Sequence, residues 1–192
     1  LPVTVAVYLL ALRHPVTVAR ALSSVSEIAP GRLTLGVGVG GEDRHEIEMC
    51  GVDPATRGAR TDECLRALRA LATGERIHLH GEHIRFDHAQ ILPAPDPSVP
   101  IVVGGRTDAA IRRCGLLGDG WLGIWVSPTR FAAVIEQVRC IADAVGRTDP
   151  PGFHQLNVWC GLGPDVSTGR SRVAGQMEAL YATPFERFER YV

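Results

Sequence analysis

Several kinds of chemistry are missing from this chain of 192 residues. No Ser-His-Asp arrangement, phosphate-binding P-loop or His-Glu-x-x-His motif occurs, so nothing nominates a covalent nucleophile or a zinc-protease site. No Cys-x-x-Cys occurs, which argues against a zinc ribbon and a thioredoxin-type redox pair. The five cysteines, Cys50, Cys64, Cys114, Cys140 and Cys160, are odd in number and widely spaced, so they do not read as a disulfide framework. The expectation is a reduced, cytoplasmic protein whose cysteines are mostly packed. An excess of charge is also missing. Twenty basic residues against 21 acidic ones leave a formal net charge of −1, which gives no electrostatic case for a nucleic-acid partner. The longest strongly apolar run, Leu1 to Leu12, contains Thr4 and stops at Arg13-His14-Pro15. It is shorter than the roughly 20 residues that a bilayer span needs. It has no basic leader and follows no initiator Met, so it does not read as a signal peptide. No membrane partner is expected, and a chain that opens inside a β-like run is expected to be cut at its N-terminus.

What is present suits one globular domain, or part of a larger one. Side chains are 45% hydrophobic, and the 21% that are charged are spread along the chain, which argues against disorder. The 21 glycines and 13 prolines fall between periodic segments. Val3 to Leu10 is a nearly continuous apolar run, as for a strand covered on both faces. Pro15 opens a helix with a stripe of Val18, Leu22, Val25 and Ile28, closed by Pro30-Gly31. Arg32 to Val39 is a second apolar strand. Thr61 to Thr73 is an amphipathic helix with Leu65, Leu68, Leu71 and Ala72 on one face and Gly74 beyond its end. Residues 76–92 read as an antiparallel hairpin and 93–100 as an extended connector. Strands come next at Pro100 to Val103, Trp121 to Val126 and Gln155 to Leu162. Helices start after Gly104-Gly105 and at Ser127-Pro128, the latter striped by Phe131, Val134, Ile135, Val138, Ile141 and Val145. Residues 166–181 read as helical, and 184–192 give no clear element. Strands alternating with helices imply a parallel sheet, either doubly wound or part of a (β/α)8 barrel.

Two turns stand out. Gly36, Gly38 and Gly41 match Gly-x-Gly-x-x-Gly after a strand, and bare backbone there could approach a phosphate or a flat ring. The acidic residue that a dinucleotide fingerprint wants on the next strand is missing, since Asp53-Pro54 and the loop Arg57-Gly58-Ala59-Arg60 come there instead. A tight structural turn and a flat-cofactor contact in another fold stay open. In the second turn, Val103-Gly104-Gly105-Arg106-Thr107-Asp108, a buried strand ends in two glycines just before a helix. Free N–H groups and the helix dipole favour an anion there, with Arg106 as a charged donor and the Thr107 hydroxyl able to cap or bind. Other features have plainer readings. His78, His80, His83 and His88 sit on the hairpin, where His78 and His80 would share a face as a possible metal pair, but a solvated polar hairpin is the simpler expectation. Glu42 and Glu46 would stand four apart on a helix start that is either solvated or faces substrate. Trp121 is expected in the core and Trp125 at a pocket mouth.

Taken together, the segments resemble the superfamily of bacterial luciferase-like flavin monooxygenases and deazaflavin-dependent oxidoreductases. Arg13-His14-Pro15-Val16 and Ser26 to Gly38 carry the resemblance. So do Arg57 to Glu63, Pro100 to Arg106 and Gly118-Asp119-Gly120-Trp121, all in the family's order. The resemblance implies an incomplete (β/α)8 TIM barrel over residues 1–192, with strands three to seven present, strands one, two and eight missing, and the hairpin as an insertion. It implies a ring held against a bulge near Ala6-Val7, often at a cis non-proline peptide. Gly38, Val39 and Gly40 would face the same cofactor, and Gly104, Gly105, Arg106 and Thr107 would hold its phosphate. Some FMN-dependent members place a basic residue near Val39. With none here, the pattern from Gly38 to Glu42 resembles the subfamily that uses coenzyme F420, with FMN as the alternative. The implied activity is hydride transfer between the deazaflavin and a small organic substrate; with FMN it becomes monooxygenation. A non-catalytic flavin-binding or partner subunit is a further alternative. A homodimer is the family expectation, and no catalytic acid or base is nominated.

Overall fold

The computed structural model describes residues 1–40 and 43–191, leaving Gly41, Glu42 and Val192 outside the description. Five strands form one parallel sheet in the order β1-β2-β5-β6-β7: β1 (Val3–Leu9), β2 (Leu33–Gly38), β5 (Ile101–Gly104), β6 (Gly120–Ile124) and β7 (Gln155–Asn157). The crossovers carry α1 (Pro15–Ile28), the short α2 (Arg44–Met49), α3 (Arg57–Leu71), α4 (Asp108–Leu117) and α5 (Pro128–Ala144), and α6 (Val166–Tyr181) comes after the sheet. α1 packs on α3, α3 on α4 and α4 on α5, so the helices form a layer in chain order outside the sheet. Each strand–helix–strand unit therefore returns to the neighbouring position, and all the strands end at the same side. A hairpin of β3 (Ile77–His80) and β4 (Arg85–Ala89) interrupts this alternation between β2 and β5.

Local chemistry explains most of these elements. Pro15 stands at the start of α1 and Pro128 at the start of α5, where a missing N–H costs nothing. Ser127 Oγ accepts from the Arg130 N–H (3.1 Å), Thr107 Oγ1 from Ala110 (3.3 Å) and Asp165 Oδ1 from Thr168 (2.7 Å), capping α5, α4 and α6. Leu65, Leu68 and Leu71 of α3 pack with Leu35, Val37 and Ile101 of the sheet. Trp121, fully buried as expected, packs with Val103, Ile111, Val134 and Val138 between the sheet and α4–α5.

The structure corrects four expectations. β1 is not covered on both faces. Val3 and Val7 are 60% and 40% exposed, and among the described residues β1 pairs with β2 alone. The α1 stripe turns away from the core after Leu22: Val25 and Ile28 are exposed, while Ser23 and Ser26 are buried. The reason is the connector, whose Pro93 carbonyl accepts from Ser23 Oγ (2.7 Å) and whose Leu92 carbonyl accepts from Arg20 Nη1 (2.7 Å). The last strand is only Gln155–Asn157 rather than eight residues long, and the chain beyond it runs out through exposed Val158 and Leu162. The cysteines are free and unequal: Cys64 and Cys114 are buried, but Cys50, Cys140 and Cys160 are exposed. Burial pushes the Cys64 thiol up to about 11 and the Cys114 thiol up to about 12, so both stay protonated packing groups. No helix of the described residues is long and apolar enough to cross a membrane.

Candidate functional site

The strands end around a cavity of about 850 Å³, bordered by the residues that the resemblance assigns to the cofactor: Ala6, Val7, Gly38, Val39, Gly40, Gly104, Gly105, Arg106 and Thr107. Its floor is set by side-chain size. The pairing of β1 with β2 shifts register between Val5 and Tyr8, and the Ala6–Val7 peptide bond within that bulge is cis. The Val7 side chain then lies across the next two strands. A Cβ added at Gly38 would stand 2.5 Å from Val7 Cγ2, and one at Gly104 would stand 3.0 Å from Val7 Cγ1. Only glycine leaves room for Val7 at both places, which makes a flat apolar shelf at the strand ends.

The second glycine turn closes one side. Gly105 has φ +115, and an added Cβ would meet the Ala110 Cβ at 2.8 Å. The Gly105 carbonyl accepts from Trp121 Nε1–H (2.8 Å), so a fully buried indole ties the turn to β6. The Thr107 hydroxyl caps α4, which settles its role in the free protein, while the dipole of this ten-residue helix points its positive end at the cavity. Arg106 is exposed and stacks over Trp125, 5.6 Å from the ring centroid. Trp125 belongs to an aromatic cluster with Tyr181 and Phe188, each at 4.8 Å, rather than to the cavity wall.

The rest of the lining had few signs in the sequence. Asp43 accepts from the N–H groups of His45 (2.9 Å) and Glu46 (3.3 Å) and so caps α2, while Asp43, Glu46 and Ile47 border the cavity. Arg57, Gly58 and Arg113 do so from α3 and α4, and Asn157 does so from the end of β7. Arg57 and Gly58 lie in one of the segments that carry the family resemblance, and Asn157 stands at a strand end, where a polar side chain is itself a signal. Arg113 gave no such sign, since it sits mid-helix. The pair Glu42–Glu46 cannot be placed, because Glu42 lies outside the described residues, as does Gly41 of the glycine match.

The segment after Arg57 ties the hairpin to the rest of the fold. Arg60 Nε–H donates to the Ala11 carbonyl (2.7 Å) and its Nη1 to the His83 carbonyl (3.2 Å), joining the end of β1 to the hairpin. Glu63 accepts from the backbone N–H groups of Glu82 (3.0 Å), His83 and Ile84 (both 2.9 Å). Burial pushes its carboxyl up, but these three donors more than reverse that and hold it below the usual range. The hairpin histidines lie away from the cavity. A carboxylate stands between two of them: Asp87 Oδ1 meets His78 Nδ1 (2.9 Å) and His80 Nε2 (2.8 Å), and these imidazoles hold its carboxyl at about 2. Among the described residues no group of three or more His, Cys, Asp or Glu side chains is arranged to hold a metal ion.

Residues 1–190 match the family model described as luciferase-like monooxygenase. An uncharacterized protein of Mycobacterium tuberculosis is 34% identical over 149 residues, 78% of this chain and 51% of its own length. An F420-dependent glucose-6-phosphate dehydrogenase of Nakamurella multipartita is 36% identical over 111 residues, 57% of this chain and 32% of its own. Among solved structures, an F420-dependent secondary alcohol dehydrogenase in complex with an F420-acetone adduct shares the fold, with TM-score 0.80 and 21% identity over 96% of this chain and 57% of that one. The oxygenating constituent of 3,6-diketocamphane monooxygenase of Pseudomonas putida, in complex with FMN, does so with TM-score 0.76 and 19% identity over 98% of this chain and 57% of that one. The chain spans about half the length of the first curated relatives it matches. With a parallel sheet ending on a glycine shelf and a family model matched over almost its whole length, the chain belongs to the luciferase-like monooxygenase family.

Proposed function

We propose that this chain contributes the cofactor half of an oxidoreductase that uses coenzyme F420 to move a hydride to or from a small organic substrate. The observation that carries the reading is the shelf of Val7 over Gly38 and Gly104, which opens directly onto the turn Gly104–Thr107 in one cavity. A flat ring fits an apolar floor without side chains above it, and an anion fits a glycine turn at a helix N-terminus. Ala6, Val7, Gly38, Val39 and Gly40 would hold the ring, and Gly104, Gly105, Arg106 and Thr107 the phosphate. The reading takes β1, β2, β5, β6 and β7 as the third to seventh strands of a (β/α)8 barrel. When bound, a reduced deazaflavin supplies a hydride from its C5 to a carbonyl, imine or activated alkene, and the oxidised form takes one from an alcohol. The chain's own part is to position the ring, keep its face dry at Val7 and neutralise the phosphate. Trp121 keeps the turn in place from behind, through the Gly105 carbonyl.

FMN is a second reading, favoured by the likeness to the FMN-bound camphane monooxygenase. Titration with oxidised F420 and, separately, FMN, monitored by fluorescence quenching, decides between them. Tight F420 binding that is lost in Gly105→Asp supports hydride transfer, whereas preferential FMN binding moves the protein to monooxygenation. Binding of neither overturns the cofactor site.

A further inference from the structure

The two arginines on the outer wall of the cavity differ in how their charge is met. Arg113, 8% exposed, pairs with the Asp62 carboxylate and donates from Nη2 to the Gly58 carbonyl (3.2 Å). Arg57, the first residue of α3, donates from Nη1 to the Pro54 carbonyl and pairs with no carboxylate among the described residues. Its Nε is buried and has no hydrogen-bond partner. A buried guanidinium N–H without an acceptor is costly, and such groups in native proteins are usually met by water or a ligand.

The position of Arg57 says which part of a ligand would reach it. From the turn Gly104–Thr107 the cavity wall continues along α4 through Ala109, Ala110 and Arg113, and there it meets Gly58 and Arg57 at the start of α3. The residues proposed to hold the ring, Ala6, Val7 and Gly38–Gly40, stand at the ends of β1 and β2, whereas Arg57 and Arg113 stand on the helix layer outside the sheet. Arg57 therefore lies off the strand ends, where the start of α3 meets the second turn of α4, and along that wall it comes after the phosphate turn. We infer that Arg57 receives a second anionic group of the cofactor, a carboxylate carried on its tail beyond the phosphate. The planar guanidinium suits a carboxylate, and a small shift of the side chain would turn its free N–H groups to it. The inference rests on the proposed F420 reading, because the tail of F420 carries carboxylates beyond its phosphate whereas FMN ends there.

The test is a titration of the wild-type protein, Arg57→Met and Arg57→Lys with F420 bearing a glutamate tail and with the tail-less deazaflavin phosphate. The wild type is expected to prefer the tailed form by about tenfold, the worth of one charge-assisted hydrogen bond. Arg57→Met should abolish the preference without changing affinity for the tail-less form, and Arg57→Lys should restore part of it. A preference that survives in Arg57→Met overturns the inference, as does equal weakening of both ligands, while F420 binding by the wild type leaves the proposed function standing. Failure of the wild type to bind either deazaflavin overturns both.

Discussion

The two glycine-rich turns leave adjacent strands, β2 and β5, at the same end of the sheet, yet they are built differently. The turn after β2 carries the better-known glycine spacing but leads into a helix of only six residues, Arg44–Met49, capped by Asp43. The turn after β5 has no such spacing. It leads into a helix of ten residues, capped by Thr107 and anchored through the Gly105 carbonyl by Trp121. A short helix carries a weak dipole, and an acidic cap repels an anion, so the first turn suits an uncharged ring and the second a phosphate. On the proposed reading, literal glycine spacing is a poorer guide to anion binding than the length and capping of the helix that the turn opens.

The comparison can be broken most severely at Gly105. Gly105→Asp forces a side chain into φ +115 against Ala110 and adds a charge at the proposed anion site. Cofactor affinity should fall by about a hundredfold or more in a quenching titration, with strain and repulsion together worth ~3 kcal/mol. In the first turn Gly40→Asp should do less, since its φ of +71 lies in the left-handed region that Asp enters more readily than most residues and an added Cβ meets Leu9 at an ordinary 3.5 Å. Equal losses at the two positions would erase the distinction. Gly38→Ala comes next. Its Cβ would displace Val7, so ring binding should weaken about tenfold, while inorganic phosphate should protect the protein against heat as well as before. Thr107→Ala removes a cap worth about 1 kcal/mol, to be read as a lowered urea midpoint, and should weaken phosphate-bearing ligands only a few fold.

The smallest effect concerns the anchor behind the second turn. His154 Nδ1 accepts from the Trp121 backbone N–H (3.0 Å), and its Nε2 lies 3.1 Å from the Pro151 carbonyl. Burial lowers its pKa from 6.5 and outweighs the opposite pull of the Pro151 carbonyl. The unfolded chain therefore takes up this proton first. The stability tied to neutral His154 is present above pH 6.5 and is lost as pH falls through the lower folded value. Urea midpoints should drop over that window, and His154→Gln should flatten that part of the profile. An unchanged slope would remove His154 from the account.

Legibility in the sequence depended on how local each cause was. Pro15, Ser127-Pro128 and Thr107 mark helix starts through contacts within four residues, and all of these appear where expected. The parallel sheet was legible from alternation, since crossover helices leave few other arrangements. The burial of Ser23 in place of Val25 was not legible, because the carbonyl it meets lies 70 residues away. Nor was the pairing of Asp87 with two histidines, which depends on the hairpin register.

For the candidate site, the sequence by itself determined which positions would be bare backbone at Gly38, Gly104 and Gly105, since the absence of a side chain is a property of the residue alone. Only the tertiary structure decided what the bareness is for. The Val7 side chain crosses two neighbouring strands to lie on Gly38 and Gly104, and the Trp121 indole reaches back to hold the Gly105 carbonyl. Arg57 and Arg113 looked alike as residues in the chain, and they parted only when Asp62 came within reach of one of them. Charge is written into a side chain, but whether that charge is already met depends on partners that folding brings from elsewhere.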